Sequence, residues 1–176
     1  MGNYKNAAAC LGLMLSTSGF VNAASVAASY PTGTLNVTGT ILEKSCTWST
    51  KDFVIQFPPT QTTAFTAVGD MGPKSDPVNF TLTGCPTTGS TTITVAGTAG
   101  ANLNTYKVDT GTGKATGVDF ILYNGTGILR PNNPAVISVD NSGNYSSSLT
   151  AQLRTNAATV TAGTLDTTLT YTIAYN

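Results

Sequence analysis

The feature that most restricts how this chain can fold is the repeated alternation of apolar and polar residues in short runs interrupted by Gly, Pro and Asn. Leu35-Asn36-Val37-Thr38-Gly39-Thr40-Ile41 alternates, and so does Val78-Asn79-Phe80-Thr81-Leu82-Thr83. Thr91 to Ala96, Val118 to Tyr123, Ala135 to Val139, Tyr145 to Leu153 and Leu169 to Tyr175 read as further strands, with a turn at Asn124-Gly125. With Phe53 to Phe57 they make about seven or eight short strands, the pattern of a β-sandwich. No heptad, internal repeat or transmembrane helix is visible in the sequence.

The composition suits that reading. Hydrophobic residues make up 40% of the 176 positions, enough for one domain with a real core, and charged residues only 9%. The formal net charge is zero, so no basic field exists to hold a nucleic acid. There is no His, which excludes a Ser-His-Asp triad, a Cys-His dyad and any His-bearing zinc site. Asp70, Asp76, Asp109, Asp119 and Asp140 are scattered and read as solvated turn residues rather than a glycosidase pair. Trp48 is a possible sugar platform, but packing beside a cysteine is the expected role. No catalytic, cofactor-binding or metal-ligating residue is expected.

The first residues have the pattern of a secretory signal. Lys5 supplies the positive region, Ala7 to Phe20 is an apolar stretch too short to span a bilayer well, and Val21-Asn22-Ala23 places cleavage after Ala23, with Ala24 or Ala27 as the competing positions. Cys10 would leave with it, and the remaining pair, Cys46 and Cys85, reads as a disulfide in an exported chain. Closing that loop stabilises the fold by roughly 4 kcal/mol in the chain-entropy model. Residues 24–33 are small, polar and flexible and lead as a tail into the strand from Leu35 to Ile41. The expected organisation is a signal peptide (1–23), an N-terminal extension (24–41) and a β-domain (42–176).

In their order, these segments resemble the pilins of the chaperone–usher fimbriae, most closely the type 1 fimbrial group. The likeness rests on Leu35-x-Val37-x-Gly39-x-Ile41-Leu42 followed by Cys46, and on Phe80-Thr-Leu-Thr-Gly84-Cys85-Pro86. It continues through Ile93 to Thr98, Gly117-Val118-x-Phe120-x-Leu122, Ala151-Gln-Leu-Arg154, Ala162-Gly163-Thr164 and the penultimate Tyr175.

The resemblance implies an all-β fold: an incomplete immunoglobulin-like sandwich lacking its last strand and completed by a donor strand from a neighbouring subunit. It implies a structural, non-enzymatic subunit that is exported through the periplasm to a cell-surface fimbrium and supports adhesion. Other fimbrial subunits, a periplasmic chaperone and an outer-membrane usher are the implied partners. Leu35, Val37, Gly39 and Ile41 share one face of the implied donor strand. Leu169, Tyr171, Ile173 and Tyr175, with the carboxylate of Asn176, form the C-terminal strand that borders the groove and meets the chaperone. From the residues alone, the Leu35 to Ile41 run reads rather as an ordinary first strand of the chain's own sandwich; it is the resemblance that turns the reading to donation. A single-domain tip adhesin or carbohydrate-binding module is the alternative function, and an exported hydrolase has no constellation behind it.

Overall fold

The computed structural model describes residues 45–49 and 51–175. The expected signal segment and extension, including Leu35, Val37, Gly39 and Ile41, lie outside the described residues, as does Asn176.

The strands are β1 (Thr47–Trp48), β2 (Met71–Lys74), β3 (Val78–Thr83), β4 (Thr91–Ala96), β5 (Tyr106–Lys107), β6 (Val118–Asn124), β7 (Gly127–Leu129), β8 (Ala135–Ile137), β9 (Tyr145–Thr155) and β10 (Thr170–Tyr175). They form two antiparallel sheets. The larger runs β1-β3-β9-β6-β5, with β2 also on β9 and β7 also on β6; the smaller runs β10-β4-β8.

β9 organises the larger sheet. Its eleven residues pair with β6 along one edge, from Leu149 to Thr155. On the other edge β3 takes Tyr145 to Leu149 and β2 takes the far end. Ser75 joins these two stretches: its N–H donates to the Ala151 carbonyl (2.8 Å), and its hydroxyl accepts from the Ala151 N–H (2.9 Å). The side-chain period of a strand is two, so Leu149, Ala151, Leu153 and Thr155 all face inward and are buried.

The core lies between the sheets. Phe80 and Leu82 of β3, Ile93 and Val95 of β4, and Phe120 and Leu122 of β6 are all buried. Each such aliphatic or aromatic side chain contributes about 1.5–3 kcal/mol when fully removed from water. Tyr106 links the layers. It sits in the larger sheet, stacks on Phe120 at 5.4 Å, and donates from its hydroxyl to the Val95 carbonyl of the smaller sheet (3.4 Å). Burial raises its phenol pKa.

The Cys46–Cys85 disulfide is present, with Cα atoms 4.2 Å apart. It ties the residue before β1 to the second residue after β3. The Cys85 N–H donates to the Gly143 carbonyl (2.9 Å). Gly143 has φ +77°, and a Cβ there would collide with the Cys85 carbonyl oxygen, so the crossing of the two segments requires glycine.

Most expected strands appear at or within two residues of their predicted limits. Four short ones, β1, β2, β5 and β7, were not foreseen, because two- to four-residue pieces such as Met-Gly-Pro-Lys carry no alternation to read. Phe53 to Phe57 corrects the expectation in the other direction. Its side chains alternate half-buried and exposed as a strand's do, yet it joins no ladder among the described residues. Asp119 is also a correction: it is buried on β6 and is not a solvated turn residue.

Candidate functional site

β10 is an edge strand. It pairs with β4 from Thr170↔Ala96 to Tyr175↔Thr91 and, among the described residues, with nothing on its other side. About half of a strand's backbone N–H and C=O groups point to each side, so such an edge offers a row of donors and acceptors to another strand.

Alongside that edge runs a groove of about 840 Å³ that opens into the sandwich. Its floor is apolar, with Ile93 and Val95 from the smaller sheet and Phe120, Leu122, Leu149 and Ala151 from the larger. One wall is the chain from Gly163 through Leu169 to Tyr171, and the other is the extended segment from Lys51 to Thr60. Among the described residues no backbone hydrogen bond joins residues 51–60 to another segment. Pro58 and Pro59 have no N–H to donate. The groove is therefore an apolar slot between two extended backbones.

Local chemistry holds each wall. On one side the Lys114 ammonium pairs with the Asp166 carboxylate (2.5 Å), and the Ala115 N–H donates to the Thr164 carbonyl (3.0 Å). At one end an aromatic cluster closes the slot. Trp48 lies 4.2 Å from the Tyr171 ring and 5.6 Å from Phe80, with Phe53 5.5 Å from Tyr171. The Tyr171 hydroxyl donates to the Lys51 carbonyl. Burial, and secondarily the negative charge of Asp52, push the Tyr171 phenol up.

The predicted site residues divide accordingly. Leu169 and Tyr171 line the groove. Ile173 continues the same half-buried face and packs on the core, and Tyr175 is half-buried at the end of β10. Trp48 belongs to the aromatic cluster and also lines the groove. The segment from Lys51 to Thr60 was not singled out as a wall; its Phe-x-Ile-x-Phe alternation was the signal for an extended backbone, without saying what it would lie beside.

The two antiparallel sheets, with β10 at an edge among the described residues, have the incomplete immunoglobulin-like sandwich fold of pilus subunits. This chain belongs to the fimbrial protein family, whose pattern matches residues 35–176. A search of curated proteins finds no match. Among solved structures, a chaperone–usher pilus described for rod uncoiling superposes with a TM-score of 0.59 at 17% identity, covering 83% of this chain and 96% of that one. The P pilus rod subunit PapA gives 0.58 at 17% identity, covering 74% and 99%. A type I fimbria protein and antigen of Burkholderia pseudomallei gives 0.56 at 19% identity, covering 74% and 100%. The protein is a structural subunit of a cell-surface fimbria and polymerises with other subunits.

Proposed function

We propose that the groove beside β10 receives an extended strand from a neighbouring subunit, and that residues 24–41 of this chain are the strand it lends in turn. The observation that carries this reading is the conjunction of an apolar slot and a β10 edge with a single ladder partner among the described residues. An entering strand would hydrogen-bond along β10 and place alternate side chains on the apolar floor. Leu35, Val37 and Ile41 share one face, and each would contribute about 1.5–3 kcal/mol if fully buried. Gly39, on that face, suits a shallow point in the slot.

The same reading includes the rest of the cycle. Residues 1–23 direct export and are removed, and the β-domain spans residues 42–176. A periplasmic chaperone covers the groove, engaging the strand of Leu169, Tyr171, Ile173 and Tyr175 and the Asn176 carboxylate, until an outer-membrane usher exchanges it for the next subunit's extension. A carboxylate held by basic side chains is a strong charge-assisted contact.

The test is to append residues 24–42 to the C-terminus of the mature chain. A stable monomer is expected, whereas the unmodified mature chain should self-polymerise or unfold without its chaperone. A stable unmodified monomer with fully paired sheets overturns the reading.

A further inference from the structure

The sequence holds one Asn-Gly step, Asn124-Gly125, and it lies where β6 turns into β7. In an unfolded chain such a step loses its side-chain amide readily, because glycine puts no side chain in the way of the attacking backbone nitrogen. Water is the only co-reactant. The Gly125 backbone nitrogen gives its proton to solvent and bonds to the Asn124 Cγ, while the Cγ–Nδ2 bond breaks and Nδ2 leaves as ammonia. Water then opens the cyclic imide at either carbonyl. The product is aspartate, or isoaspartate with the main chain rerouted through Cβ and Cγ.

Each atom that would take part is held in the folded chain. The Gly125 N–H donates to the Ser148 carbonyl on β9 (2.9 Å), so the nucleophile's proton is engaged. The Asn124 Nδ2 donates to the Tyr145 hydroxyl (2.8 Å), and the Tyr145 ring packs on Phe80 at 5.7 Å. Attack at Cγ would put negative charge on Oδ1. That oxygen is buried and has no hydrogen-bond partner among the described residues. A developing oxyanion with no donor in a water-excluded site is disfavoured. The backbone is fixed as well: Asn124 pairs with Gly127 of β7 on one side and Leu149 of β9 on the other.

We propose that Asn124-Gly125 is a latent modification site that β9 holds closed and unfolding exposes, so that spontaneous deamidation marks subunits that have lost their fold. Refolding does not erase the mark. Aspartate puts a carboxylate oxygen where Oδ1 lies buried without a donor, and isoaspartate lengthens the backbone by a methylene between two ladders. The site is separate from the groove and does not depend on strand exchange.

The test follows the peptide carrying Asn124 by mass-spectrometric mapping with isoaspartate detection. Assembled wild-type fibres are compared with the same chain unfolded in guanidinium chloride, in one mildly alkaline buffer. Deamidation in the fibre should be slower by about a hundredfold or more, since it must wait for the β6–β7 hairpin to open. Tyr145→Phe keeps the ring on Phe80 and frees Nδ2. Fibres of this variant with an unchanged melting temperature should deamidate about fivefold faster than wild type, as expected for the loss of one hydrogen bond. Equal rates in the fibre and the unfolded chain, or an unchanged rate in assembled Tyr145→Phe fibres, overturn the proposal. If Tyr145→Phe does not assemble, the comparison of folded with unfolded wild type decides it alone.

Discussion

The phenol of Tyr171, on the edge strand β10, donates its hydrogen to the backbone carbonyl of Lys51 on the facing wall of the groove. The two walls of the slot are thereby joined at one end, over the packed rings of Trp48 and Phe53. Tyr171→Phe keeps the ring and removes this bond. A loss of about 0.5–1.5 kcal/mol is expected in the strand-complemented monomer, read by urea unfolding. A change near zero would mean that the rings alone hold the walls.

The same tyrosine gives an alkaline limit. Tyr106 and Tyr171 both have raised phenol pKa values, Tyr106 through burial and Tyr171 through burial and then Asp52. A group raised in the folded state favours folding while it keeps its proton. The stability it gives is complete below the unfolded value near 10 and is lost as pH rises toward the folded value. The melting temperature should fall above about pH 10, and less steeply in Tyr106→Phe.

Two carboxylates set the acid side. Asp70 accepts from the Thr66 and Ala67 N–H groups, and Asp140 from those of Ser142 and Asn144. These backbone bonds, chiefly Thr66 for Asp70 and Asn144 for Asp140, lower both pKa values from 3.8. A lowered carboxylate stabilises the fold above its unfolded value and loses that contribution as pH falls through the folded one. Amide exchange at Ser142 and Asn144 should therefore quicken below about pH 4 relative to the core of β9. Uniform protection there would refute the assignment.

Gly143 is expected to tolerate no side chain. Gly143→Ala meets both a positive φ and the Cys85 carbonyl, and should cost about 1–3 kcal/mol. Replacing both Cys46 and Cys85 by Ser should cost about 2–5 kcal/mol by loss of the cross-link. Thermal unfolding of the complemented monomer measures both.

Leu169 tests the groove as an acceptor. It is half-buried on the wall, so Leu169→Asp should leave the core of β6 and β9 intact while charging the slot. Chaperone-free polymerisation, followed by light scattering, should slow by an order of magnitude or more, as expected for a buried unpaired charge at an interface. Unchanged polymerisation would place the incoming strand elsewhere.

Much of this molecule can be read from residue order. Alternation located β3, β4, β6, β9 and β10, because a two-residue period with one apolar face leaves a strand few other ways to bury itself. Cysteine number and an exported context identified Cys46 and Cys85 as a bridge. Residue order also marked Leu169 and Tyr171 as one face of the last strand.

Only the tertiary structure decided where those faces go. Phe53 to Phe57 has a strand's alternation, but whether it is laddered depends on which backbone lies beside it. Asp119 resembles any other acid in the sequence; its burial arises because the loop from Ala99 to Thr105 closes over it. Local pattern specifies which side of an element is apolar, since that is written in consecutive residues. Which edge lies beside another, and which polar atom is left without a partner, depends on contacts between residues far apart in the chain.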